Sequence, residues 1–217
     1  MRTKICGIRS YEDASTAIKA GANAVGFLVG ITHLAEDKID KEVAREIIEK
    51  LPPFVSRVLV THLTDENEIV ELASFLQVDT IQIHDYIPPE AVAEVKRQLP
   101  YCKVIKAVHV INEDEAIKMM HDFEAVSDAL LLDSRTADRL GGTGIVNDWN
   151  ISEQVVRLSK VPVILAGGLT DANVHAAVIK TRPFGVDVNS GVEVDGWKDF
   201  TKVKKFITEA HRAESAN

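Results

Sequence analysis

The sequence predicts an α/β protein built as a single (β/α)8 barrel, and three observations carry that prediction. A short apolar run followed by an amphipathic stretch recurs eight times along 217 residues. Polar and apolar residues alternate at the ends of several runs. Glycine turns follow the seventh and eighth. The first strand is expected at residues 2–6 (Arg-Thr-Lys-Ile-Cys), and the helix behind it opens on the capping pair Ser10 and Asp13. Further strands end near Val29, Thr61, His84, Val108, Asp133, Ala166 and Asn189. Helical spacing follows each, as from Val43 to Leu51 and from Ala172 to Lys180. At roughly 27 residues per unit there is room for a strand, a helix and two short loops, so residues 1–217 read as one barrel domain. A doubly wound open sheet also alternates strand and helix, but no Gly-x-Gly-x-x-Gly follows the first strand here.

Composition excludes several classes of function. The net charge of −8 is spread along the chain, and clustered Lys and Arg interleaved with aromatics are missing, which argues against a nucleic-acid partner. No apolar run approaches the ~20 residues of a membrane span, so a soluble protein with no membrane partner is expected. Cys6 and Cys102 are the only cysteines and nothing resembles a signal peptide, which fits the reducing cytoplasm.

Barrel chemistry sits at the C-terminal ends of the strands, and side-chain alternation tells which residues face inward there. Helices cover the outer face and demand apolar residues on it, so polar residues of one parity mark the interior. On this test Lys4 and Cys6 point inward against Ile5, and Gln82 and His84 against Ile81 and Ile83. Asp133 points inward against Leu130 and Leu132, and Asp187 and Asn189 against Val186 and Val188. Lys106 reads as inward by the same rule. Val58 and Val60 read as outward, which carries His62 outward with them, and His109, three residues beyond Lys106, also starts outward.

Ala166-Gly167-Gly168-Leu169 follows strand seven and Asn189-Ser190-Gly191-Val192 ends strand eight. Glycine lets the backbone approach a ligand, and free amides at helix starts favour an anion, so Gly167, Gly168, Asn189, Ser190 and Gly191 are the candidate phosphate grip. Cys6 and Asp133 stand on opposite walls. Such a pair can take a proton from carbon at one face of a small molecule and protonate oxygen at the other, provided burial raises the acid's pKa and something lowers the thiol's. Gln82, His84 and Asp187 are candidate substrate contacts. Cys102, at the opposite rim, reads as a small buried hydrophobe.

Several runs together resemble one known family. They are Lys4-Ile5-Cys6-Gly7-Ile8, Gln82-Ile83-His84, Leu51-Pro52-Pro53-Phe54-Val55 and Asp133 with Gly141-Gly142-Thr143-Gly144 and Asp148-Trp149. Ala166-Gly167-Gly168-Leu169 and the run from Val186 to Glu193 complete the set. The resemblance is to phosphoribosylanthranilate isomerase and spans nearly the whole chain. It implies an Amadori rearrangement of N-(5-phosphoribosyl)anthranilate in tryptophan biosynthesis, without a cofactor. By the same resemblance Asp133 protonates the furanose oxygen and Cys6 takes the proton from the neighbouring ribose carbon.

Two departures stand out. Family members carry Pro-x-Ser-x-Arg after strand two, whose arginine meets the anthranilate carboxylate, whereas Asp37 or Lys38 faces that position here. A carboxylate repels a carboxylate, and lysine lacks arginine's flat fork. Arg135 and Arg139 are the nearest substitutes. The second departure is a row of rim histidines, His33, His62, His84 and His109, of which the family accounts for His84 alone. Imidazoles in a row would suit a metal-dependent sugar-phosphate epimerase or aldolase, against which the parity of His62 and His109 argues. The same strand ends and glycine loops would also serve a paralogue acting on a related phosphoribosyl-amine, or a non-catalytic barrel that binds a phosphorylated ligand. His121, His175 and His211 read as solvated, and the oligomeric state as monomer or homodimer.

Overall fold

In the computed structural model eight parallel strands close on themselves. They are β1 (Arg2–Ile5), β2 (Ala24–Leu28), β3 (Ser56–Thr61), β4 (Thr80–Ile83), β5 (Lys103–Val110), β6 (Ala129–Thr136), β7 (Val163–Leu165) and β8 (Gly185–Val188). Each pairs with the next, β5 joins β6, and β1 closes on β8 in a register that sets Lys4 against Asp187. The structure describes residues 1–32, 35–136, 139–140 and 148–215. His33 and the glycines at 141, 142 and 144 fall outside the described residues, as do the side chains of Arg135 and Arg139.

The helices are α1 (Tyr11–Ala20), α2 (Lys41–Ile48), α3 (Glu66–Leu76), α4 (Pro89–Gln98), α5 (Glu113–Phe123), α6 (Trp149–Leu158), α7 (Val174–Thr181) and α8 (Phe200–Glu214). Side-chain caps start most of them: Ser10, Asp65, Asn112, Asp148 and Asp199 each accept from an amide in the first turn. Asp13 does not close a reciprocal box with Ser10. Its carboxylate instead accepts from the Arg9 amide and from the amide of Lys198, tying α1 to the loop after β8.

Two apolar layers result. The outward strand residues, among them Ile5, Phe27, Leu59, Ile81, Ile83, Val108, Leu130, Leu132, Val186 and Val188, pack with the buried helix faces in one large cluster. Inside the barrel lie two smaller clusters, Ile105, Ala107, Ala129, Leu131 and Ala166 on one side and Cys6, Leu28, Val58 and Val60 on the other.

This layering corrects two expected parities. Val104, Val108 and Val110 belong to the outer layer, so Lys106 points outward and Ile105, Ala107 and His109 point inward. Lys106 is fully buried there, its ammonium 5.2 Å from the Phe123 ring centre and donating to the Ala107 carbonyl at 2.7 Å. A lysine can lie under a helix because its methylene stem packs as an apolar chain while its head finds a carbonyl. In β3, Val58 and Val60 line the interior with Cys6, and His62 follows them inward.

Candidate active site

Two cavities open at the two mouths of the barrel. The larger, about 950 Å³, lies at the N-terminal mouth. Four of its charged residues are spent on each other, Arg57 with Asp79 and Lys103 with Asp128. The smaller, about 450 Å³, lies at the C-terminal mouth. It is lined by Cys6, Gln82, His84, Asp133, Gly167, Gly168, Asp187, Asn189, Ser190 and Gly191, so the candidate acid-base, substrate and phosphate residues from the sequence all border one space.

Beneath Cys6, Lys4 forms a buried ion pair with Asp187, Nζ to Oδ2 2.7 Å, with side chains 5% and 7% exposed. Burial by itself would lower the lysine's pKa, but the Asp187 carboxylate and the Cys6 sulfur outweigh it and raise it. The thiol behaves in the opposite sense to the expected requirement. Burial pushes it up to about 11, and the ammonium of Lys4 is the strongest pull toward the thiolate. In the free protein Cys6 is therefore a thiol held beside a cation. Asp187 Oδ1 and Gln82 Oε1 are buried with no partner among the described residues, two acceptors facing the cavity wall.

Across the barrel, Asp133 Oδ2 lies 3.5 Å from His84 Nε2, and Gln82 Nε2 lies 3.4 Å from His84 Nδ1. Burial, then the neighbouring His109 and His62, hold His84 well below the ordinary imidazole pKa, so the ring is neutral near pH 7. Gln82 donating to Nδ1 fits the tautomer that presents Nε2–H to Asp133. The three rim histidines among the described residues do come together, contrary to the expectation that His62 and His109 turn away. His62 stacks on His84 at 5.1 Å, and His109 meets it edge-on at 5.0 Å. These contacts set ring faces and edges against one another, and among the described residues no group of three His, Cys, Asp or Glu side chains could hold a metal ion.

The glycine loops meet closely. Gly167 and Gly168 take φ of +79° and +65°, a backbone region that suits glycine. A Cβ at Gly191 would sit 1.9 Å from the Leu169 carbonyl oxygen, so the loops after β7 and β8 are in backbone contact. Ser190 to Val192 form a single 3-10 turn. In the stretch after β2, Asp37 is half-buried and accepts from Asn189 Nδ2 at 2.7 Å, while Lys38 is exposed at the edge of the cavity.

The sequence reading missed Lys198 here and turned His62 and His109 the wrong way. Lys198 is buried and donates to Asn189 Oδ1 and to Glu193 Oε1. His62 and His109 complete the ring cluster. Lys198 lies ten residues beyond the end of β8, on a short hairpin of Glu193–Val194 with Trp197–Lys198, and no alternation or glycine marks it.

A closed parallel barrel with a thiol, a carboxyl group and paired glycine loops around its C-terminal mouth defines the class: a (β/α)8 enzyme with titratable groups at the strand ends. The family model described as N-(5'phosphoribosyl)anthranilate (PRA) isomerase matches residues 3–209. The N-(5'-phosphoribosyl)anthranilate isomerase 2 of Methanosarcina mazei is 42% identical over 99% of this chain and 95% of its own. The crystal structure of phosphoribosyl anthranilate isomerase from Thermotoga maritima superposes with a TM-score of 0.85 at 36% identity, covering 98% of this chain and 99% of that one. A phosphoribosyl anthranilate isomerase in complex with reduced 1-(o-carboxyphenylamino)-1-deoxyribulose 5-phosphate gives 0.82 at 35% identity, with the same coverage. The chain belongs to the N-(5'-phosphoribosyl)anthranilate isomerase family.

Proposed function

We propose that the chain catalyses the Amadori rearrangement of N-(5'-phosphoribosyl)anthranilate to the carboxyphenylamino-deoxyribulose phosphate, as an intramolecular oxidoreductase of tryptophan biosynthesis. The observation that carries this reading is a single cavity bordered by Cys6 and Asp133 on different strands and by the glycine loops after β7 and β8. Asp133 protonates the furanose ring oxygen, and the nitrogen lone pair opens the ring to a cationic imine. Cys6 then takes the proton from the adjacent ribose carbon, and the enolamine formed tautomerises to the ketone. The imine's positive charge adds to that of Lys4 in favouring the thiolate, which offsets the burial that holds the free thiol near 11.

Neutral His84 fixes the Asp133 carboxyl and, with Gln82 and Asp187, meets the sugar hydroxyls. Backbone amides of Gly167, Gly168, Ser190 and Gly191 take the phosphate. The substrate is a phosphorylated sugar-amine, and no cofactor enters this scheme. No described helix is long and apolar enough to cross a membrane, and we place the enzyme in the cytoplasm. As a quaternary state we retain monomer or homodimer; the feature a homodimer would bury is Phe54, fully exposed at a positive φ beside the N-terminal cavity.

The test supplies purified protein with phosphoribosylanthranilate in the presence of a chelator and follows the loss of anthranilate-type fluorescence. Turnover is expected. A folded protein that leaves the fluorescence unchanged overturns the proposal, and turnover lost to the chelator favours a metal-dependent reaction.

A further inference from the structure

Asn189 is the point where three loops of the mouth meet. Its Nδ2 donates to Asp37 Oδ2 at 2.7 Å, in the stretch after β2. Its Oδ1 accepts from Lys198 Nζ at 2.7 Å, and its carbonyl accepts from the same ammonium at 3.2 Å. The side chain also lies over Gly7, where a Cβ would come within 2.2 Å of Oδ1, one residue from Cys6. Lys198 cannot swing away: its side chain is 1% exposed, it is paired with Glu193, and its own amide donates to Asp13.

We propose that Asn189 is a positioning residue whose side chain, clamped by Lys198, latches Asp37 and so fixes residues 35–38 at the mouth beside Cys6. Proposing this role rests on the reaction proposed above. It also takes the Asn189 side chain out of the candidate phosphate grip, in which the sequence placed this residue with the glycine loops. An Nδ2 already committed to a carboxylate is a poor phosphate donor, because a phosphate dianion brought to it would stand against Asp37. The outer ends of the stretch have their own anchors, Thr61 Oγ1 donating to the Gly30 carbonyl at 3.2 Å and the Ile39 amide to the Leu28 carbonyl at 3.0 Å. Among the described residues, the Asp37 latch ties the stretch on the cavity side. A Gly7 without a side chain is what leaves the asparagine its seat.

The experiment compares Asp37→Ala, Asn189→Ala and Asp37→Asn by steady-state kinetics with phosphoribosylanthranilate, and by amide hydrogen exchange at residues 37–39 without substrate. Losing a hydrogen bond to a charged group predicts a KM raised roughly tenfold in both alanine variants, with kcat within about threefold and faster exchange. Asp37→Asn keeps an acceptor oxygen and restores KM and exchange to near wild type. Unchanged KM and exchange in Asp37→Ala overturn the latch. So does a loss confined to kcat, which would mark a direct part in the chemistry, or an Asp37→Asn as impaired as the alanine. If the wild type itself does not turn over, the proposed reaction fails while the exchange measurement still decides the latch.

Discussion

Replacing Lys4 by methionine keeps the apolar stem and removes the charge that faces both Asp187 and Cys6. The Asp187 side chain is 7% exposed and its Oδ1 already has no partner among the described residues, so the carboxylate would be left buried without its cation. Breaking one side of a buried ion pair costs about 3–5 kcal/mol. For a chain of this size each kcal/mol is worth about 2–4 °C in melting temperature, which places the Lys4→Met midpoint roughly 6–20 °C below wild type at pH 7. Adding Asp187→Asn should recover most of that loss, because a neutral amide needs no counter-charge. The raised lysine pKa fixes the pH dependence: its contribution is complete below the ordinary 10.5 and is lost as pH rises through the higher folded value. The deficit should therefore stay constant from about pH 6 to 9 and shrink only in stronger alkali. Thermal unfolding followed by circular dichroism reads all of this. In a Cys102→Ser background, Cys6 alkylation by iodoacetamide at pH 9 should also slow, since the thiol loses its strongest pull toward thiolate. A Lys4→Met protein that melts within about 2 °C of wild type, or a double variant no better than the single, refutes the reasoning.

Two further outcomes test other parts of the structure. Gly191→Ala puts a methyl group 1.9 Å from the Leu169 carbonyl and must push the two glycine loops apart. KM for the phosphorylated substrate and the inhibition constant of inorganic phosphate should both rise by roughly tenfold or more, whereas unchanged values would remove the loops from phosphate binding. Lys106→Met should stabilise the protein. Burial lowers Lys106 from 10.5 to about 7, a penalty fully present below pH 7 and fading as pH climbs to 10.5. At ~1.36 kcal/mol per unit the ceiling is roughly 4–5 kcal/mol, and the lost bond to the Ala107 carbonyl leaves a net gain of about 2 kcal/mol. A melting midpoint that does not rise at pH 6 contradicts this.

The barrel was legible because its signal is repeated: each βα unit carries its own apolar run, and most of the helices carry their own cap. Inward parity was readable wherever one polar and one apolar residue alternated at a strand end, as in Lys4-Ile5-Cys6 and Ile81-Gln82-Ile83-His84. It failed in two strands for different reasons. The run Val58-Leu59-Val60 is apolar on both faces, because the lower barrel interior is as dry as the helix layer, so it offers no contrast to read. In β5 the polar residue at the middle of the strand, Lys106, lies on the outer face with its head against a carbonyl, and taking it as inward inverted His109. The proton-transfer candidates came from strands of clear parity. Lys198 and the Asp37 contact did not, since a hairpin beyond β8 and a loop after β2 are joined only by tertiary structure.

The central claim is that this barrel isomerises phosphoribosylanthranilate through Cys6 and Asp133. Its most direct measurement is growth without tryptophan of a bacterial strain lacking that isomerase, supplied with the gene as wild type, Cys6→Ala or Asp133→Asn at matched levels of folded protein. We predict growth with the wild type and none with either variant. A folded wild type that does not restore growth, or variants that restore it fully, would contradict the claim.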